Sequence, residues 1–172
     1  MGKRTRIIND PSDLVPLLGT FGSKTHKIVF DNLLVDWFTK DELKEKLTMD
    51  VDDSIKILKK CGLIESKWRM PEPGQTPQKE YHTSYSKIQV NFQCTVEDLS
   101  DLLMITFSKD DEIRNMIEQI EAEVVNGNQS MTGLARVLGA SPIYLRGIAR
   151  RSDKLTVKGQ RIEFNGAIGA IE

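Results

Sequence analysis

The chain has 172 residues, 39% hydrophobic, 28% charged and 6% aromatic, with a formal net charge of −1. That apolar fraction supports a packed core, while few aromatics and many charges favour small helical domains with solvated faces over a deep-pocketed enzyme. No apolar run is long enough to span a bilayer, the basic stretch 1–8 lacks the apolar segment of a signal peptide, and the two cysteines, Cys61 and Cys94, are too far apart in sequence to suggest a disulfide framework. A cytoplasmic protein is expected.

In chain order, residues 12–19 read as a short helix, and Ser23 reads as the cap of a longer one carrying Ile28, Val29, Leu33, Leu34 and Trp37 at helical spacing. Thr39 followed by Glu42 three residues on is a capping box that opens a helix with Leu43 and Leu47 inward. A turn at 48–50 leads to a helix over 51–61 with Ile55 and Leu58 inward, stopped by Gly62. Residues 65–70 and 79–84 read as strands flanking a Pro/Gly loop, the outline of a wing.

The runs Phe38 to Leu47 and Ile55 to Ile64 resemble the winged helix-turn-helix of the arsenical-repressor-like regulators, with Gly62-Leu63-Ile64 closing the reading helix before the wing. Lys79-Glu80-Tyr81-His82 and the later Glu97-Asp98-Leu99 are similar to archaeal members in particular. The resemblance spans residues 23–107 and implies a DNA-binding regulator in which Lys56, Lys59 and Lys60 contact DNA. Soft-metal sensors of that superfamily place paired cysteines on the reading helix, whereas this chain has only Cys61 at its end, so metal sensing is not implied. Asp50, Asp52 and Asp53 crowd the start of the same helix, where carboxylates favour the helix dipole and oppose phosphate.

Residues 87–93 alternate as a further strand, 96–106 form a helix with Leu99, Leu102 and Leu103, and a domain boundary is expected at 108–111. A third helix, 111–125, carries a stripe of Ile113, Ile117, Ile120 and Val124, available either to its own core or to a dimer partner. From 131 to 152 the spacing fits a second helix-turn-helix: Ala135 is small at the crossing, Gly139 turns, Ser141 caps and Pro142 takes the first helical turn. Ile143, Tyr144, Arg146, Gly147, Arg150 and Arg151 are its expected outward face, and 155–164 is a hairpin with Lys158-Gly159 at the tip, a second wing.

Charge separates these parts. Between 97 and 123 nine acids stand against Lys109 and Arg114, while between 130 and 161 seven bases stand against Asp153 alone. The basic stretch suits phosphate and the acidic one does not. The expectation is a mainly α protein with small β-hairpin wings (α+β), built as tandem winged helix-turn-helix units over 1–107 and 108–172. Its function would be sequence-specific binding of double-stranded DNA as a homodimeric transcriptional regulator, with a transcription-machinery partner possible.

The expected DNA contacts are Ser141, Tyr144, Arg146, Arg150, Arg151, Lys158 and Arg161, with Lys56, Lys59 and Lys60 from the first unit. The second unit, being the more basic, would dominate. A winged-helix adaptor that binds protein in a transcription or chromatin assembly is the alternative, and an RNA binder lacks the aromatic sheet it would need. No cofactor, metal or catalytic group is expected, because His26, His82 and the cysteines fall at no ligand spacing and no phosphate loop or nucleophile elbow is present.

Overall fold

A computed structural model describes residues 4–166; the first three residues of the basic start and the tail 167–172 lie outside it. The fold is mixed α and β, with small sheets among eight helices of the described residues. The chain divides into two compact units, the first formed by Met1–Ile8 and Thr20–Asn91, the second by Asn9–Gly19 and Phe92–Glu172. The expected division at 107/108 differs from this one. Residues 92–107 and a short segment near the N-terminus join the second unit, an exchange that local signals such as Ser108 do not encode.

In the first unit α2 (Lys24–Val35), α3 (Lys40–Leu47) and α4 (Asp52–Lys60) pack with a three-stranded antiparallel sheet of order β2-β4-β3, where β2 is Phe38–Thr39, β3 Ile64–Arg69 and β4 Gln78–Thr83. Local chemistry sets the boundaries. The Ser23 hydroxyl accepts the His26 N–H at the start of α2, and Thr39 and Glu42 form the reciprocal capping box of α3. Thr48 adopts a left-handed conformation (φ 53°) in the turn, and Gly62 (φ 67°) follows α4, where a side chain would be strained. Val29, Leu33, Leu43, Val51, Ile55, Leu58, Leu63, Ile64 and Tyr81 are buried. Of the apolar positions expected for α2, Ile28 and Leu34 are exposed. A parallel pair, β1 (Thr5–Ile8) with β5 (Lys87–Val90), completes the unit. The alternation at 87–93 marked the second of these strands and nothing local marked the first.

The second unit holds a 3₁₀ turn (Pro11–Asp13), most of α1 (Leu14–Phe21), α5 (Val96–Phe107), α6 (Asp110–Val125), α7 (Met131–Leu138), α8 (Pro142–Arg151) and the hairpin β6 (Leu155–Lys158) with β7 (Arg161–Phe164). Gly139 has φ 65° in the turn between α7 and α8, and Ser141 accepts the Tyr144 N–H while Pro142 occupies the first turn. The stripe on α6 is spent in the core: Ile113, Ile120 and Val124 are buried beside Leu102, Ile105, Leu134, Leu145, Ile148 and Ile162, with Ile117 partly buried. That removes α6 as an apolar dimer face.

The expected outward face of α8 is corrected too. Gly147 is buried, and a Cβ there would meet Leu102 Cδ2 at 2.9 Å and Ile105 Cδ1 at 3.0 Å. A side chain there would press on the ends of two α5 side chains, which would have to shift to admit it.

Candidate nucleic-acid interface

In the first unit the outer surface of α4 carries Lys56, Lys59 and Lys60, all exposed, opposite the buried Ile55 and Leu58. The aspartates at its start are largely answered from within the unit. Asp52 lies 3.0 Å from Lys40 Nζ and 2.9 Å from Lys44 Nζ, and Lys44 also reaches Asp50 at 3.5 Å. Asp50 further accepts the Asp52 N–H at 3.1 Å, a turn just ahead of the helix. The hydrogen bond from Lys44, then that from Lys40, holds the Asp52 carboxyl below its ordinary range, and Lys44 is held above its own by Asp52. Asp53 is exposed beside the three lysines, while Asp50 and Asp52 face lysines of α3, so the repulsion read from the sequence is reduced.

The hairpin β3–β4 beside this helix is fixed toward the outer end of its strand pair by a charged clamp. Arg69 donates to Glu42 on α3 and, through Nε at 2.6 Å, to Glu80 on β4, which Lys67 also approaches at 3.3 Å. Glu80 is buried, and burial pushes its carboxyl up, but the hydrogen bonds from Arg69 and Lys67 outweigh this and hold it low. Glu42 is lowered chiefly by Arg69, whose own pKa is raised by Glu42 and then Glu80. On the same side Trp37 stacks on His82 with ring centroids 5.2 Å apart, and Lys67 Nζ sits 4.1 Å from the Trp37 ring.

The second unit uses its basic residues differently. Arg151 Nη1 donates to the backbone carbonyls of Ile105 (2.5 Å), Ser108 (3.1 Å) and Thr106 (3.2 Å), and Nη2 to Asp110 (2.7 Å), so it caps the C-terminal end of α5. Arg150 pairs with Asp13 at 2.9 Å and lies 3.9 Å from Asp10. Arg146, its side chain 14% exposed, donates to Gln160 at 2.8 Å and lies 3.7 Å from Asp10. The Nε atoms of Arg146 and Arg150 are buried with no hydrogen-bond partner. Lys158 pairs with Glu163 at 3.0 Å, and Arg161 lies 3.7 Å from Glu163 and bonds to Gln129. Tyr144 packs partly buried against the core, and Ser141 is occupied as a cap.

The ten expected contact residues are divided between the two units. Lys56, Lys59 and Lys60 stand together on α4, whereas the three arginines of α8 turn into their own unit. Sequence reasoning missed Asp10 and Asp13, whose partners are distant in the chain, and it missed Trp68. The alternation of β3, which puts residues 64, 66 and 68 on one side, could have marked Trp68 as the position beyond the buried Ile64.

Among the described residues no group of three or more His, Cys, Asp or Glu side chains could hold a metal ion, and no helix is long and apolar enough to cross a membrane. A helix pair with an outward lysine row beside a hairpin suits a regulator that meets a polyanion. Residues 8–166 match the family model of the ArsR transcriptional regulators, and the chain belongs to that family. No curated protein matches the chain.

Proposed function

We propose that the protein binds double-stranded DNA sequence-specifically to regulate transcription, and that the first unit is the reader. Its order of helix, strand, helix, helix, strand, strand with sheet order β2-β4-β3 supports a winged helix-turn-helix in which α4 enters the major groove and the β3–β4 hairpin is the wing. The observation that carries this reading is the exposed row Lys56, Lys59 and Lys60 on a helix whose Asp50 and Asp52 are already paired with α3 lysines. In the second unit α6, α7, α8 and the β6–β7 hairpin repeat that order with an isolated bridge, Ser130 to Arg161, where the first unit has β2, which supports a tandem winged unit. There α8 is a packing helix, and the guanidinium groups of Arg146, Arg150 and Arg151 serve the fold. Lys158 and Arg161 on the hairpin are accessory phosphate contacts.

The working species is a homodimer joined through α5, whose Val96, Leu99, Leu103, Met104 and Phe107 are exposed at helical spacing. That stripe is also the feature favouring the second reading, a protein-binding adaptor. Titration with duplexes selected from a random pool, at two salt concentrations, tests the proposal. Replacing Lys56 and Lys59 together by Ala should lower the salt slope by about two, roughly one per phosphate contact, with the melting temperature unchanged. Wild-type protein that selects no duplex would refute it in favour of the adaptor.

A further inference from the structure

The wing carries something that a purely phosphate-binding hairpin does not need. Trp68 is 63% exposed and Met70 is 89% exposed. On the ribbon Trp68 pairs across to Lys79, as Ser66 does to Tyr81 and Ile64 to Thr83. Ile64, Tyr81 and Thr83 are buried at the base of the hairpin, so the same strand face continues outward from the core to an indole left mostly open. Lys79 Nζ lies 5.0 Å from that indole ring, which places an ammonium group beside a large apolar plane. From Met70 to Lys79 the only acid is Glu72, and Pro71, Pro73 and Pro77 restrict the connecting backbone. A stiffened hairpin loses less conformational freedom when it is gripped, and its tip is suited to an anion with an apolar flank.

We infer that Trp68 is a DNA-contacting wedge, its indole packing against the sugars and base edges of the minor groove while Lys79 meets the adjoining phosphate. This deepens the reading of the first unit as the DNA reader and rests on it. Duplex DNA is the occupant that fits both halves of the pair: the phosphates answer Lys79, and partly unstacked base steps accept an apolar wedge. The clamp Glu42–Arg69–Glu80 acts as a positioning device, since it fixes the strands that present the indole.

The test uses the full chain and a selected duplex. Indole emission should change on titration with that duplex in the wild type, and the change should vanish in Trp68→Phe, which keeps only Trp37. Trp68→Ala should weaken the selected duplex by about tenfold or more, Trp68→Phe should restore much of the loss, and Lys79→Ala should lower the salt slope by about one. Because Trp68 is exposed, melting temperatures should match the wild type. A wild type that binds the duplex with its emission unchanged, and a Trp68→Ala variant that binds equally well, would overturn this inference and leave the reader assignment standing. A Trp68→Ala variant that keeps DNA affinity but sediments as a smaller species would likewise overturn it, making the indole a protein contact. Failure of the wild type to bind any duplex would remove the reader assignment, and the wedge with it.

Discussion

Arg151→Ala separates a structural arginine from a DNA-reading one. The side chain is 20% exposed, and its Nη1 faces three carbonyls at the end of α5. One Nη carries two protons, so two of these count as full bonds, and each charge-assisted bond contributes roughly 1.5–3 kcal/mol net. Partial exposure discounts that figure, and the pair with Asp110, whose side chain is 88% exposed, adds little. A loss of about 2–4 kcal/mol follows, which lowers the melting temperature by on the order of 10 °C in a chain of this size. The assay is calorimetric melting together with duplex titration at a temperature where both proteins are folded. Melting should drop, and affinity per folded molecule should hold. An unchanged melting temperature with tenfold weaker DNA binding would refute the argument and return Arg151 to the DNA surface.

Three further outcomes are expected. Glu42 and Glu80 have carboxyl pKa values below the ordinary 4.5, so the stability they contribute is complete above that value and is lost as pH falls through their lower folded values. Melting of the first unit from pH 7 to pH 3 should therefore fall steeply at the acid end, and Glu80→Gln should melt lower at neutral pH and flatten the curve. Gly147→Val forces α5 from α8 and should cost about 1–3 kcal/mol by overpacking, read as a lower denaturant midpoint; an unchanged midpoint would mean the helices have slack. Met104→Glu with Phe107→Glu should convert a dimer to a monomer in sedimentation with little effect on melting, because both side chains are exposed.

What was legible in the sequence was whatever a few neighbouring residues decide. Thr39 with Glu42, Ser141 with Pro142, Gly62 and Gly139 each fix a helix end through bonds or backbone angles three or four residues away, and each is present where it was expected. The charge contrast between the halves was equally plain and misled about α8, because net charge does not reveal that Asp10 and Asp13 lie against Arg146 and Arg150. The parallel pairing of β1 with β5 was hidden for the same reason: Ser86 donates its N–H to the Arg4 carbonyl across most of the first unit's sequence. Helical period could not say which apolar stripe meets the core, so α6, whose stripe is buried, and α5, whose stripe is partly open, read alike.

The interleaved path of the chain also has a consequence for synthesis. Asn9–Gly19 leaves the ribosome long before Arg146 and Arg150, so its carboxylates must wait for those guanidinium groups. At about 5–20 residues per second that wait lasts many seconds, during which Val15 and Leu17, both buried in the finished protein, have no core to enter. The first unit, complete at Asn91, can close long before the second. A gene fragment starting after residue 19 would lack the 3₁₀ turn and leave two guanidinium groups without their acids, so expression of the second half alone calls for a design that keeps residues 9–19.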